Sequence, residues 1–189
     1  MKSFLGVAVL LGAAGMFASN KAEALDTWIG SWDYVLQHDQ EGRPSAAFAR
    51  LRGDDEALLW LTCARYPTDG KAQKAVSLSA TVSQKSYLGR SPSRGRSTVY
   101  WFDDGSPELS YWVYRERAGQ IASAEQVTRI LEKMTDAQSL VIELSNYRYE
   151  TLRSQFQFNP LDTKRVAERF RQDCRAIAGP ANADSPSIR

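Results

Sequence analysis

Thr98-Val99-Tyr100-Trp101-Phe102-Asp103-Asp104-Gly105-Ser106-Pro107-Glu108-Leu109-Ser110-Tyr111-Trp112-Val113-Tyr114-Arg115 is the stretch that decides the architecture of this chain. Two runs rich in aromatic and β-branched residues flank Asp103 to Pro107, whose composition favours a turn, so the spacing predicts a β-hairpin. Asp is expected to cap that turn and Gly105 to supply a positive φ. Strand alternation sends Tyr100, Trp101, Phe102, Tyr111, Trp112 and Tyr114 to both faces, where aromatic cross-strand pairs stabilise a sheet without any ligand.

Upstream, Trp28 to Gln37 and Ser45 to Arg52 flank the turn-like Asp39-Gln40-Glu41-Gly42-Arg43-Pro44, a second hairpin with a longer loop. Ala57 to Ala64 is apolar on both faces, as a central strand is. After Pro67 to Gly70 a strand pattern resumes at Ala75 to Ala80, and Gly89 to Arg96 is a Gly, Ser, Pro and Arg loop. Downstream, Ser123-Ala124-Glu125-Gln126 forms a capping box ahead of the stripe Val127, Ile130, Leu131 and Met134, which predicts an amphipathic helix. Leu140 to Leu144 and Thr151 to Phe158 are two more strands, the second alternating Leu152, Ser154, Phe156 and Phe158. A last helix starts near Asp162, carries Val166, Phe170, Cys174 and Ile177 on one face and stops at Gly179-Pro180. The expected fold is α+β, a mostly antiparallel sheet or sandwich with two packed helices, as a single domain over 25–178. The small, polar residues 179–189 are expected to form a disordered tail.

The N-terminus carries Lys2, an apolar run from Phe4 to Phe17 and then Ala22-Glu23-Ala24, the pattern of a cleavable signal peptide with its cut after Ala24. That run is shorter than the roughly 20 residues a spanning helix needs, so export to the periplasm, or secretion, is expected over membrane anchoring, and no transmembrane segment is expected in the mature chain. Cleavage removes Lys2, Lys21 and Glu23 from 24 basic and 22 acidic residues, leaving a net charge of +1. Such a balance argues against a nucleic-acid binder. Export places Cys63 and Cys174 where thiols oxidise, so a disulfide between them is the economical reading and two unpaired thiols the alternative.

Nothing in the sequence forms a catalytic signature. His38 is the sole histidine and lies beside a loop, without a nucleophile-elbow motif elsewhere. No cofactor or metal is expected: Asp54-Asp55-Glu56 and Asp103-Asp104 lack calcium-loop spacing. A pair of carboxylates flanking a glycosidic bond stays open. Lys85, Arg90, Arg94 and Arg96 concentrate positive charge beside the aromatic hairpin, which makes Arg90, Arg94, Arg96, Trp101, Tyr111, Trp112 and Tyr114 the candidate partner-binding residues. The alternative for the loop is a solvated charge run.

The strand Leu59-Trp60-Leu61-Thr62-Cys63, then Thr98 to Gly105 with Tyr111-Trp112, a helix, Leu140-Val141-Ile142-Glu143, a Phe-containing strand and a final helix ending in Asp173-Cys174 occur in an order that resembles the periplasmic VasI/TagO proteins associated with type VI secretion. More loosely the chain is similar to invasion-associated locus B proteins. The resemblance covers about residues 57–176 and implies a periplasmic accessory protein, a structural Cys63–Cys174 bridge and no catalytic residues. The expected function is a non-enzymatic envelope protein that binds a protein partner. An inhibitor or immunity protein of a hydrolase, and a cell-wall or polysaccharide hydrolase, are the other two readings.

Overall fold

The computed structural model describes residues 24–66 and 75–179. Residues 1–23 of the expected signal peptide, the turn at 67–70 and residues 180–189 of the expected tail lie outside the described residues, whereas Ala24 opens the first strand and Gly179 caps the last helix. Ten strands and two helices follow in the order β1 (Ala24–Ile29), β2 (Trp32–His38), β3 (Pro44–Arg52), β4 (Leu58–Tyr66), β5 (Ala75–Ser83), β6 (Arg96–Phe102), β7 (Glu108–Arg115), β8 (Ala118–Ile121), α1 (Ala124–Met134), β9 (Ser139–Ser145), β10 (Thr151–Gln157) and α2 (Pro160–Ala178). All pairs are antiparallel and form one sheet in the order β1-β2-β3-β4-β5-β8-β7-β6-β9-β10. The fold is thus α+β, as the alternating and helical periods predict.

The sheet turns back on itself at β7. Its first five residues pair with β6 and its last three pair with β8. This brings β10 round to the β3–β4 turn, where Asp54 N–H donates to Gln155 O (2.9 Å) and Gln155 N–H donates to Asp54 Oδ1 (2.7 Å). Gln84, just after β5, donates through Nε2 to Ser154 Oγ (2.7 Å). The edge of β10 is therefore partly occupied by these contacts, which limits its exposed backbone donors and acceptors.

Three local readings change. The stretch Trp28 to Gln37 is two strands, not one, because Gly30 at φ 58° opens a two-residue loop and pairs Ile29 with Trp32; glycine first in such a loop fits a type II′ hairpin turn. The sequence carries no signal for β8, since the turn before it is Glu116-Arg117, with Glu116 at φ 57° and neither residue a customary turn former. In the β6–β7 turn it is Asp103, at φ 47°, and not Gly105 that takes the left-handed conformation. Asp103 is held there because its Oδ1 accepts from Gln138 N, Ser139 N and Ser139 Oγ.

α1 begins at N-cap Ser123, whose Oγ accepts from Gln126 N, and buries Val127, Ile130, Leu131 and Met134. The Gln126 side chain is turned toward β7, where its Oε1 accepts from Ser110 Oγ (2.9 Å). α2 starts at N-cap Asn159 with Pro160 in its first turn, a position that needs no N–H, and ends at Gly179. It is fastened to the sheet at several points: Trp32 Nε1 donates to Thr163 Oγ1 (3.2 Å), Tyr34 OH donates to Asp173 Oδ2 (2.7 Å) and Arg65 donates to Ile177 O. A disulfide joins Cys63 of β4 to Cys174 of α2, with Cα atoms 5.7 Å apart and a sequence separation of 111. Closing so long a loop stabilises the fold by about 4 to 5 kcal/mol on the chain-entropy model.

The helices cover only one face of β1–β5. Trp32, Tyr34, Leu51, Leu59, Leu61 and Cys63 are buried there, whereas Leu58, Trp60 and Thr62 on the other face of β4 are half-buried. β4 is central in the sheet order, but it is not enclosed on both sides. Among the described residues no helix is long and apolar enough to cross a membrane.

Candidate functional site

The strand pattern divides the seven candidate binding residues among three environments. Trp112 and Tyr114 point into the core and have no accessible surface. Tyr114 OH lies 2.8 Å from Thr98 Oγ1 and accepts from Ser145 N (3.2 Å). These two rings cannot touch a partner while the domain is folded, which corrects their assignment to a binding surface. Trp101 and Tyr111 alternate to the opposite face of the hairpin. Tyr111 is 62% exposed, and Arg153 lies over the Trp101 ring at 4.8 Å.

Arg96 is also corrected, because its guanidinium is not free to meet a partner. Nη1 donates to Leu88 O (3.2 Å), Ser145 O (2.8 Å) and Asn146 O (3.0 Å), and Nη2 donates to Arg90 O (3.2 Å). The same group stacks over Tyr114, 4.8 Å from the ring centroid. One planar cation thus gathers carbonyls from the 84–95 loop and the β9–β10 loop, a task suited to the fixed fork of arginine. Its role is to hold the two loops together.

Above this clamp the 146–150 loop is built by a single buried asparagine. Asn146 Oδ1 accepts from Arg148 N (2.8 Å) and Glu150 N (3.0 Å), and its Nδ2 donates to Glu150 Oε2 (2.6 Å). Tyr149 sits at φ 65°, which costs an aromatic residue on the order of 1 kcal/mol or more and persists only where the surroundings enforce it. The result is outward display: Tyr147 is 52% exposed and Tyr149 is 83% exposed.

The 84–95 loop completes the surface. Tyr87, 52% exposed, meets Tyr147 edge to face with ring centroids 6.0 Å apart. Gly89 at φ 83° lies so close to Tyr147 that a Cβ there would come within 2.9 Å of Tyr147 Cβ. Arg148 stacks over Tyr147 at 5.3 Å, Arg90 pairs with Glu116 at 3.6 Å and Arg94 is exposed. Lys85 is turned to Glu56 (3.3 Å) instead. Tyrosine and arginine on a fixed backbone are the residue types that carry energy at protein interfaces, since they offer large contact area with few torsions to freeze.

Tyr87, Tyr147, Arg148 and Tyr149 were missed in the sequence. The available signal was Asn146-Tyr147-Arg148-Tyr149-Glu150, in which an Asn-led turn between two strands holds two aromatic residues that a strand would normally take.

The other candidate chemistry finds structural duties. Asp54 and Asp103 tie neighbouring elements by accepting backbone N–H groups. His38 ends β2 at a register shift and is half-buried. Among the described residues no three His, Cys, Asp or Glu side chains lie together as metal ligands would.

Compared with protein-family models, curated proteins and solved structures, the chain matches none.

Proposed function

We propose that this chain is an exported, non-enzymatic accessory protein of the bacterial cell envelope that binds an acidic protein partner through the Tyr87, Tyr147 and Tyr149 platform and its arginines. The observation that carries this reading is the Arg96 clamp. A guanidinium that joins two loops from beneath, leaving three tyrosines exposed above it, is suited to a surface kept ready for contact. Arg90, Arg94 and Arg148 supply the positive charge that an acidic partner complements. The signal-like N-terminus and a disulfide spanning the domain are compatible with a periplasmic location. The resemblance to VasI/TagO proteins supports an accessory role beside a secretion system.

The test is capture of partners from an envelope extract on the immobilised protein, at low and at physiological salt, beside a variant carrying Arg90→Ser, Arg94→Ser and Arg148→Ser. An acidic protein retained by the parent, held less at higher salt and lost by the variant is the expected result. Equal capture by parent and variant, or none at either salt, overturns the proposal.

A further inference from the structure

A pocket lies between the two helices. α1, α2 and β5 enclose a pocket of about 40 Å³ lined by Leu78, Thr128, Leu131, Phe170, Cys174 and two arginines, Arg171 and Arg175. Leu131, Phe170 and Cys174 form an apolar floor, and all three are buried.

The four arginines of α2 divide sharply around it. Arg165 pairs with Asp162 and Arg169 with Asp173, each at 3.6 Å. Among the described residues Arg171 and Arg175 meet no carboxylate or carbonyl, and they are the two that line the pocket. They stand one turn apart on the same side of the helix, so a single anion can bridge them. An apolar hole beside two guanidiniums that have no carboxylate partner among the described residues calls for a group that is apolar and anionic at adjoining atoms.

We infer that this pocket receives the C-terminus of a partner polypeptide, with an apolar last side chain on its floor and the α-carboxylate between Arg171 and Arg175. The size of the pocket suits the tip of one side chain and is far below the roughly 300 Å³ at which small-molecule sites begin. An acidic side chain on a neighbouring residue meets the arginines less well, because adjacent side chains of an extended peptide point to opposite sides. The α-carboxylate shares its Cα with the buried side chain and stays at the pocket mouth. A guanidinium donates to it in a two-bond fork, and the Thr128 hydroxyl, on the α1 side, can donate one more. Capture of a terminal carboxylate is a recurrent mode of peptide recognition.

The probe is acetyl-Gly-Ser-Ala-Leu with a free C-terminus, titrated into the isotopically labelled, oxidised protein and followed by amide chemical shifts. The same peptide as its C-terminal amide, and one ending in Gly, are run beside it. Expected are shifts at Thr128, Leu131, Arg171 and Arg175 with the free acid, and binding at least about tenfold weaker with either control. Arg171→Gln with Arg175→Gln reduces binding of the free acid to that of the amide, with the thermal midpoint unchanged. No shifts at millimolar peptide, equal binding of acid and amide, or a variant that binds as the parent does overturns the assignment.

Discussion

The β6–β7 hairpin and the loop pair 84–95 with 146–150 are built from the same residue types and use them in opposite ways. In the hairpin, alternation takes Trp112 and Tyr114 into the core, where they have no accessible surface. In the loops, Asn146 and Arg96 hold the backbone so that Tyr87, Tyr147 and Tyr149 face outward. Aromatic density in a sequence therefore locates a core as readily as a surface. What separates the two is whether the rings lie on a strand with a buried face or on a loop that a polar side chain has fixed.

The largest expected effect falls within the hairpin itself. Trp112→Ala lowers stability by about 3 to 5 kcal/mol, because a filled core position becomes a cavity. Trp101→Ala, on the opposite face, costs a small fraction of that. Urea unfolding of the two variants measures the contrast, and similar losses at both sites would erase it.

The disulfide serves as a control outside the comparison. Cys63→Ala lowers stability by about 2 to 5 kcal/mol while leaving partner capture by the folded protein intact. Denaturation of oxidised and reduced protein gives the first quantity and capture below the unfolding midpoint the second. A Cys63 variant as stable as the parent would show that the bridge between β4 and α2 is structurally idle.

Arg96→Lys acts on the boundary between the regions. Lysine has no planar fork to reach the carbonyls of Leu88, Ser145, Asn146 and Arg90 together, so stability falls by about 2 kcal/mol and the loops loosen. Hydrogen exchange should accelerate at 87–90 and 146–150 and stay slow in β6 and β7. Uniform acceleration across all four segments would show that Arg96 supports the core and not the platform.

The smallest effect is a pH dependence. Burial, reinforced by Glu108, pushes the Tyr100 phenol up to about 12. Burial, with the hydrogen bond to Asp173, raises Tyr34 further. Both hydroxyls keep their protons in the fold after unfolded tyrosines have released theirs near pH 10. Both contributions are complete below about pH 10 and fall as pH rises, because the unfolded chain then binds fewer protons; that of Tyr100 is lost by about pH 12, and that of Tyr34 goes on falling above it. Unfolding midpoints at pH 9 and 11 should differ, and Tyr100→Phe should shrink the difference.

Strand and helix periods made most of the fold legible. The stripes Val127, Ile130, Leu131, Met134 and Val166, Phe170, Cys174, Ile177 are buried as their spacing requires, and Cys63 meets Cys174. The misses share one trait, a left-handed backbone position that the local residue types do not announce. Glu116, Asp103 and Tyr149 all take positive φ without being glycine. Asp103 is held there by the chain before β9, and Tyr149 lies in the loop that Asn146 organises. The candidate site was half legible. Its arginine loop stood out by composition, whereas Tyr147 and Tyr149 belong to it only because β9 and β10 bring their loop beside Gly89 and over Arg96.

The most direct test of the platform compares two double variants for capture of the same envelope partner at physiological salt, Tyr147→Ala with Tyr149→Ala against Trp101→Ala with Tyr111→Ala. Each pair is checked first for an unchanged thermal midpoint. The account predicts that the loop variant loses the partner and the strand variant keeps it. Loss with the strand variant and retention with the loop variant would contradict it, returning the binding surface to the hairpin.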